Sequence, residues 1–240
     1  MYSNEYGQQI GAPLPDWAPR ALPEKKIFHG QSCDLEPLSA DQHGRDLFDA
    51  FSAAPDGRDW TWLSIGPFAE FSDLYEVLNT FEHSDTNLHF AIIDLSTQKA
   101  IGTIALIQPD TLNGKVEMGY VLYSRLLRKT KIATEAQFLL MQYVFDELQY
   151  RRYEWKCDHF NTASKQAALR LGFSYEGTFR KLIVYKGRSR DTDWFSLIDD
   201  EWPNNKLVLQ TWLAPHNFDH HHQQIQSIQD IRKQINAHRS

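Results

Sequence analysis

Between residues 88 and 149 the apolar residues change period once, and that change limits the possible folds more than any other feature of the 240-residue chain. Leu88, Phe90 and Ile92 alternate, and the run AIIDL closes in the turn STQK. Two further strands are expected over 100–107 and 115–123, so the stretch reads as an antiparallel meander. Then Ala136, Leu140, Val144 and Leu148 recur every four residues, one apolar stripe on a helix from about Ile132 to Gln149. A strand over 151–159 follows. A helix over 162–171 starts after Asn161 and ends at Gly172, a residue suited to the position just past a helix end. Residues 173–186 and 192–199 make a last hairpin. Strands, helix, strand, helix, hairpin is the order of a mixed α/β or α+β sheet domain, not a doubly wound one.

The flanks are less regular. Residues 27–38 predict one strand or a pair, and Ser39 caps a helix to about Ala53. PDGRDW is a turn. Aromatic residues crowd 60–71, where Trp60, Trp62, Phe68 and Phe71 are expected to pack the helices that cover the sheet, and a helix is expected from Ala69 to Phe81. Pro13, Pro15, Pro19 and Pro23 with Gly7 and Gly11 make residues 1–26 an irregular arm, with Trp17 as its anchor. The chain divides into that arm, a sheet domain over 27–202, and a helical then polar tail over 203–240.

Composition narrows the function. No apolar run approaches the roughly 18 residues of a membrane span, so no membrane partner is expected. The first ten residues lack the basic and apolar regions of a secretory signal. The two cysteines, Cys33 and Cys157, have no zinc-type spacing, so a reducing cytoplasm is the expected location. Net charge is −6, but residues 125–190 hold 14 basic and 6 acidic side chains, a local excess of +8 inside a remainder of −14. Such a block suits an anionic ligand, while overall acidity argues against nucleic acid.

The block begins at the junction between the strand 115–123 and the long helix. Arg125, Arg128, Lys129 and Lys131 lie there with no acidic residue between 125 and 133. A helix N-terminus has unpaired N–H groups and a positive dipole end, which suit a phosphate, and a solvated basic turn with a Thr cap is the plainer alternative. The junction resembles the Arg/Gln-x-x-Gly-x-Gly/Ala signature of the GNAT superfamily of N-acetyltransferases, with Arg128, Lys131 and Ala133 at the matching positions and Lys131 in place of the usual Gly. Val116-Glu117-Met118-Gly119-Tyr120, Asn161-Thr162-Ala163-Ser164, Leu171-Gly172-Phe173 with Glu176, Gly177 and Arg180, then Gly187-Arg188, Asp191 and Glu201-Trp202 are similar to motifs of its ribosomal-protein (Rim-type) branch. They appear in the family order over about 30–202.

The resemblance implies a GNAT fold, a central mixed twisted sheet flanked by helices and splayed at the acetyl-CoA site. It implies acetyl-CoA as co-substrate, no metal, and direct transfer of an acetyl group to an amine, either a protein N-terminus or a small molecule. By resemblance Met118, Gly119, Tyr120, Arg128, Lys129, Thr130, Lys131, Ile132, Ala133, Thr134, Asn161 and Ser164 contact the cofactor. Glu117 is the candidate base and Ser164 the hydroxyl near the departing sulfur. The protein is expected as a monomer or homodimer, and a catalytically idle CoA-binding domain is the alternative.

Each candidate also has a plainer role. Glu117 could pair Lys115 or another cation, and Asn161 is a good N-cap. Glu135 reads as a helix-dipole partner and Cys157 as a small core residue. His216, His220, His221 and His222 read as a solvated or weakly metal-binding stretch.

Overall fold

The computed structural model describes residues 1–221 and 223–237. The arm is less irregular than its prolines predict. It carries a small hairpin, β1 (Tyr2–Ser3) with β2 (Gln9–Ile10), closed by Asn4, whose side-chain oxygen accepts the N–H groups of Tyr6 and Gln8 at 3.0 and 2.9 Å. Trp17 is the anchor. Its indole N–H donates to the Leu112 carbonyl at 2.9 Å, and the Arg20 guanidinium lies 4.4 Å over its ring.

Eight further strands form one sheet. They are β3 (Phe28–His29), β4 (Cys33–Pro37), β5 (Leu88–Asp94), β6 (Lys99–Asp110), β7 (Lys115–Tyr123), β8 (Arg152–Asp158), β9 (Ser174–Tyr185) and β10 (Arg188–Ile198). Their spatial order is β3-β4-β5-β6-β7-β8-β10-β9. Every pairing is antiparallel except β7 with β8. That one parallel step is forced by the sequence, because the long helix between the two strands carries the chain back to its starting edge.

The α-helices among the described residues are α1 (Ala40–Ser52), α2 (Phe71–Glu82), α3 (Lys131–Gln142), α4 (Thr162–Leu171), α5 (Trp202–Leu213) and α6 (Ile228–Ala237). Helices α1 and α2 cover one face of the sheet at β6 and β5, where Leu47, Leu74 and Leu78 meet Ala91 and Ile93. The others lie on the opposite side, where Leu140, Ala168 and Leu209 share a core with Phe90, Ile104, Tyr153 and Phe195, and α6 packs on α5 and α4 through Ile231. The tail is therefore part of the second layer. Burying a side chain such as Leu209 there contributes about 1.5–3 kcal/mol.

Two local features depart from a uniform pattern. The stripe expected to 149 stops being α-helical at Gln142, and Tyr143–Glu147 form a wider π-helical turn closed by Leu148 N–H to the Tyr143 carbonyl at 3.0 Å. Tyr143, Val144 and Phe145 are all buried in this wider turn. Gly172 ends α4 with φ 104°, and a Cβ there would overlap the Asn205 amide, so no other residue fits.

The feature that positions the site is a divergence. Pairing of β7 with β8 covers only Lys115–Met118 against Arg152–Trp155. Beyond it, β7 continues against β6 and β8 continues against β10, so the two strands part. A bulge in β7 accompanies the split, with Tyr120 at φ 46° and a register shift against β6 between Thr103 and Ala105. A bulge bends its strand and increases local twist, which carries the end of β7 away from β8.

Candidate active site

The bulge also decides which way β7 presents its side chains. Val116 and Met118 lie in the core under α3, and past the bulge so do Val121 and Tyr123. Glu117 therefore sits on the other face, the one carrying α1 and α2, and Tyr120 and Leu122 lie there too. Glu117 has its plainer partner, and it is Lys156 on β8: Nζ donates to Oε2 at 2.6 Å. Lys115 is not involved. Lys156 also lies 3.1 Å from Glu154 Oε2 and 3.9 Å over the Trp194 ring. Burial pushes the Glu117 carboxyl above the usual range, and Lys156 pulls it part of the way back.

Tyr120 does not point into the split. Its ring lies 4.7 Å from Phe81 and 5.0 Å from His89, which stacks on Phe81 at 4.2 Å. His89 is buried and its Nδ1 has no partner among the described residues. Burial pushes its pKa down to about 4 from 6.5. A base with a depressed folded-state pKa contributes stability that is present above pH 6.5 and lost as pH falls through 4. The loss expected is about 3 kcal/mol. Urea denaturation of wild type and His89→Leu at pH 7.5 and 4.5 measures it, and an identical pH dependence in the two proteins would show that His89 is not the group responsible.

The loop 124–130 joins β7 to α3. Leu127 is its buried plug, and Thr130 caps the helix, its hydroxyl accepting the Ala133 N–H at 3.3 Å. The position that needs backbone freedom is Lys129, at φ 60°, and not Lys131. Lys131 is the first residue of α3, so its N–H and that of Ile132 have no intrahelical acceptor. Its ammonium is drawn aside, 3.4 Å from Gln31 Oε1 and 5.1 Å over the Phe218 ring of the tail. The lysine in the Gly position thus leaves the backbone donors clear. Thr134 is buried, with its hydroxyl accepting from Arg170 at 3.0 Å. Two of the four cations at this junction are already paired. Arg128 and Arg125 bind the two oxygens of Asp59, at 2.8 and 3.2 Å. Asp59 lies in the turn before α2, and nothing in the local sequence marks it as their partner.

Helix α4 starts on the other side of the split. Asn161 is its N-cap, with Oδ1 accepting the Ser164 N–H at 3.1 Å. The Ser164 hydroxyl accepts the indole N–H of Trp155, the last β8 residue paired with β7, at 2.9 Å. That bond fixes Ser164 beside the opening and leaves its own proton to donate elsewhere. Ser164 also touches Cys157, whose thiol burial pushes up to about 11, so it stays a thiol at neutral pH. A Cβ at Gly119 would lie 2.5 Å from the Ile107 side chain, so the glycine lets Ile107 of β6 pack against β7.

Glu135 is not a dipole partner. It is buried, and its two oxygens accept the N–H groups of Gln31 and Ser32, each at 2.7 Å, clamping the β3–β4 turn to α3. Trp60 is buried against Phe51 and Phe68, and Phe71 packs on Phe48. Among the described residues, no group of three or more His, Cys, Asp or Glu could hold a metal, and His222 lies outside those residues. No helix among the described residues is long and apolar enough to cross a membrane. Lys156, Glu154, Trp194 and Asp59 were not legible as site residues. Only alternation on β8, which puts 154 and 156 on one face, hinted at the first two.

Comparison with known proteins agrees with this fold. Residues 34–174 match the family model described as the acetyltransferase (GNAT) domain. A Bacillus licheniformis protein named as an uncharacterized N-acetyltransferase, p20, is 33% identical over 144 residues, 59% of this chain and 80% of that protein. A Bacillus subtilis protein named as a candidate ribosomal N-acetyltransferase, YdaF, is 32% identical over 105 residues, 44% of this chain and 57% of its own length. The crystal structure of a GCN5-related N-acetyltransferase from Brucella melitensis superposes with a TM-score of 0.90 at 47% identity, covering 92% of this chain and 100% of that one.

Proposed function

The chain belongs to the GNAT acetyltransferase family, and from that premise we propose that it moves an acetyl group from acetyl-CoA directly to a primary amine. The observation that carries the proposal is the parting of β7 from β8, with Glu117 on one face of the opening and Ser164 on the other. Acetyl-CoA supplies the activated acyl carbon. The residues present fit it. The free N–H groups of Lys131 and Ile132 face the loop, and Lys129 adds charge. Arg128, Thr130, Ala133, Thr134 and Asn161 shape the two helix starts around it.

An amine acceptor arrives protonated and must lose a proton before it attacks. Glu117 takes that proton, directly or through one water. N–H groups of β7 from Met118, the last residue paired with β8, to Tyr120 orient the carbonyl and stabilise its developing negative charge. Ser164 donates to the departing sulfur. Trp194 has a buried indole N–H on the Glu117 face without an acceptor among the described residues, which fits a carbonyl beside the reacting amine. We therefore favour a peptide N-terminus over a small polyamine as acceptor, in line with the Rim-type motifs. The two cysteines are free thiols, which accords with work in the cytoplasm.

Isothermal titration with acetyl-CoA, followed by free-thiol release with short peptides and with a polyamine, tests this. Binding followed by thiol release with peptides is expected. The engagement of Arg128 by Asp59 and Glu117 by Lys156 supports the idle-domain alternative, whose mark is tight binding with no turnover on any amine.

A further inference from the structure

Lys156 has no place in the sequence motifs, yet it is the residue best placed to control Glu117. Glu117 and Glu154 are direct cross-strand partners on β7 and β8. Both are largely buried, with side chains 12% and 7% exposed. Two like charges facing each other in a sheet repel, and away from water one of them ordinarily takes up a proton. Lys156 opposes that here. Its ammonium lies between the two carboxylates, at 2.6 and 3.1 Å, and rests on the Trp194 ring at 3.9 Å. Phe179 stacks against Trp194 at 4.6 Å, so that floor is braced.

The location is equally specific. Trp155 is the last β8 residue paired with β7, so Lys156 is the first residue beyond the split, and it reaches back across the split to β7. Resting on the reading of Glu117 as the base, we propose that Lys156 is a positioning residue: it holds Glu117 ionised and aimed along the opening between β7 and β8. The other charged groups that face Glu117 are Glu154 on β8 and Arg190 on β10, while its neighbour on β6 is the apolar Ile107. Arg152 holds the second oxygen of Glu154 at 2.7 Å, so Glu154 cannot turn away to relieve the repulsion. Removing Lys156 leaves Arg190 as a cation that still acts on Glu117.

The test uses the full chain as wild type, Lys156→Met, Lys156→Arg and Glu117→Gln. The Glu117 carboxyl carbon is followed by 13C NMR through a pH titration, its resonance assigned by its disappearance in Glu117→Gln. Thiol release from acetyl-CoA with a short peptide bearing a free N-terminus is followed over the same pH range. In Lys156→Met the Glu117 titration and the acidic limb of the rate profile are both expected to move up by about 1 to 3 pH units, with Lys156→Arg restoring most of the change. A lysine that only supports the fold would lower the rate at every pH and leave the titration in place, which would overturn the proposal. If the Glu117 resonance moves while Glu117→Gln keeps the acidic limb, the pairing stands and the assignment of Glu117 as base fails.

Discussion

Replacing Glu117 by glutamine is expected to lower turnover about 100- to 1,000-fold near neutral pH, the range over which a positioned base contributes. Acetyl-CoA affinity should not change, because Glu117 lies on the α1–α2 face and the loop that would hold the pyrophosphate lies at the start of α3. The deficit has a pH signature. Burial raises the Glu117 carboxyl, so wild type should show an acidic limb in which the rate climbs as this group loses its proton. The variant lacks the group and so lacks that limb. Its residual rate depends on neutral amine supplied by bulk solvent, and the gap to wild type is widest at low pH, where neutral amine is scarce. Steady-state thiol release across pH, with a parallel acetyl-CoA titration, measures both. Turnover equal to wild type at all pH values would remove Glu117 from the chemistry and leave it as one side of the Lys156 pair.

The largest expected effect on stability comes from Glu135→Ala. The wild-type carboxylate is buried and accepts two backbone N–H groups at 2.7 Å each. Truncation removes the charged acceptor from both donors, one on the exposed turn residue Gln31 and one on the half-buried Ser32. Hydrogen bonds to a charged group are worth about 1.5–3 kcal/mol each, so the loss should be about 3 to 5 kcal/mol. For a chain of this size that is a fall of roughly 10 °C in Tm. Glu135→Gln should fall between the two, because its amide oxygen can accept one N–H while its NH2 group faces the other donor. Urea denaturation at pH 7 checks both, read as a shift in midpoint at constant slope. A loss below about 1 kcal/mol for Glu135→Ala would mean that the β3–β4 turn finds other acceptors. The same variant should loosen Gln31, which reaches the Lys131 ammonium, and so should weaken acetyl-CoA binding more than Glu117→Gln does.

These two carboxylates show how unevenly a sequence announces its residues. Glu117 stood out because its neighbours matched a strand motif, but its face could not be assigned. Alternation alone would have put Tyr120 with Val116 and Met118, and the bulge at Tyr120 reverses that. Glu135 stood out only as an acid near a helix start. Its real partners are 104 and 103 residues earlier in the chain, beyond the reach of any local pattern. The loop before α3 was legible as a basic helix N-terminus, but its charge was overcounted, because Asp59 neutralises part of it from 66 residues away.

What the sequence determined by itself is what depends on neighbours along the chain. The period-two runs of β5 to β7, the caps at Ser39, Thr130 and Asn161, the glycine that ends α4 and the family motifs all act within a few residues, where backbone geometry fixes who meets whom. Tertiary structure decided everything that depends on one strand lying beside another. The parting of β7 from β8, the face that carries Glu117, and the Lys156 ammonium between two carboxylates exist only once the sheet has formed. The reason is physical: a charge or a hydrogen-bonding group acts over a few ångströms of space, and a sheet brings together residues such as Glu117 and Lys156 that lie 39 positions apart in the chain.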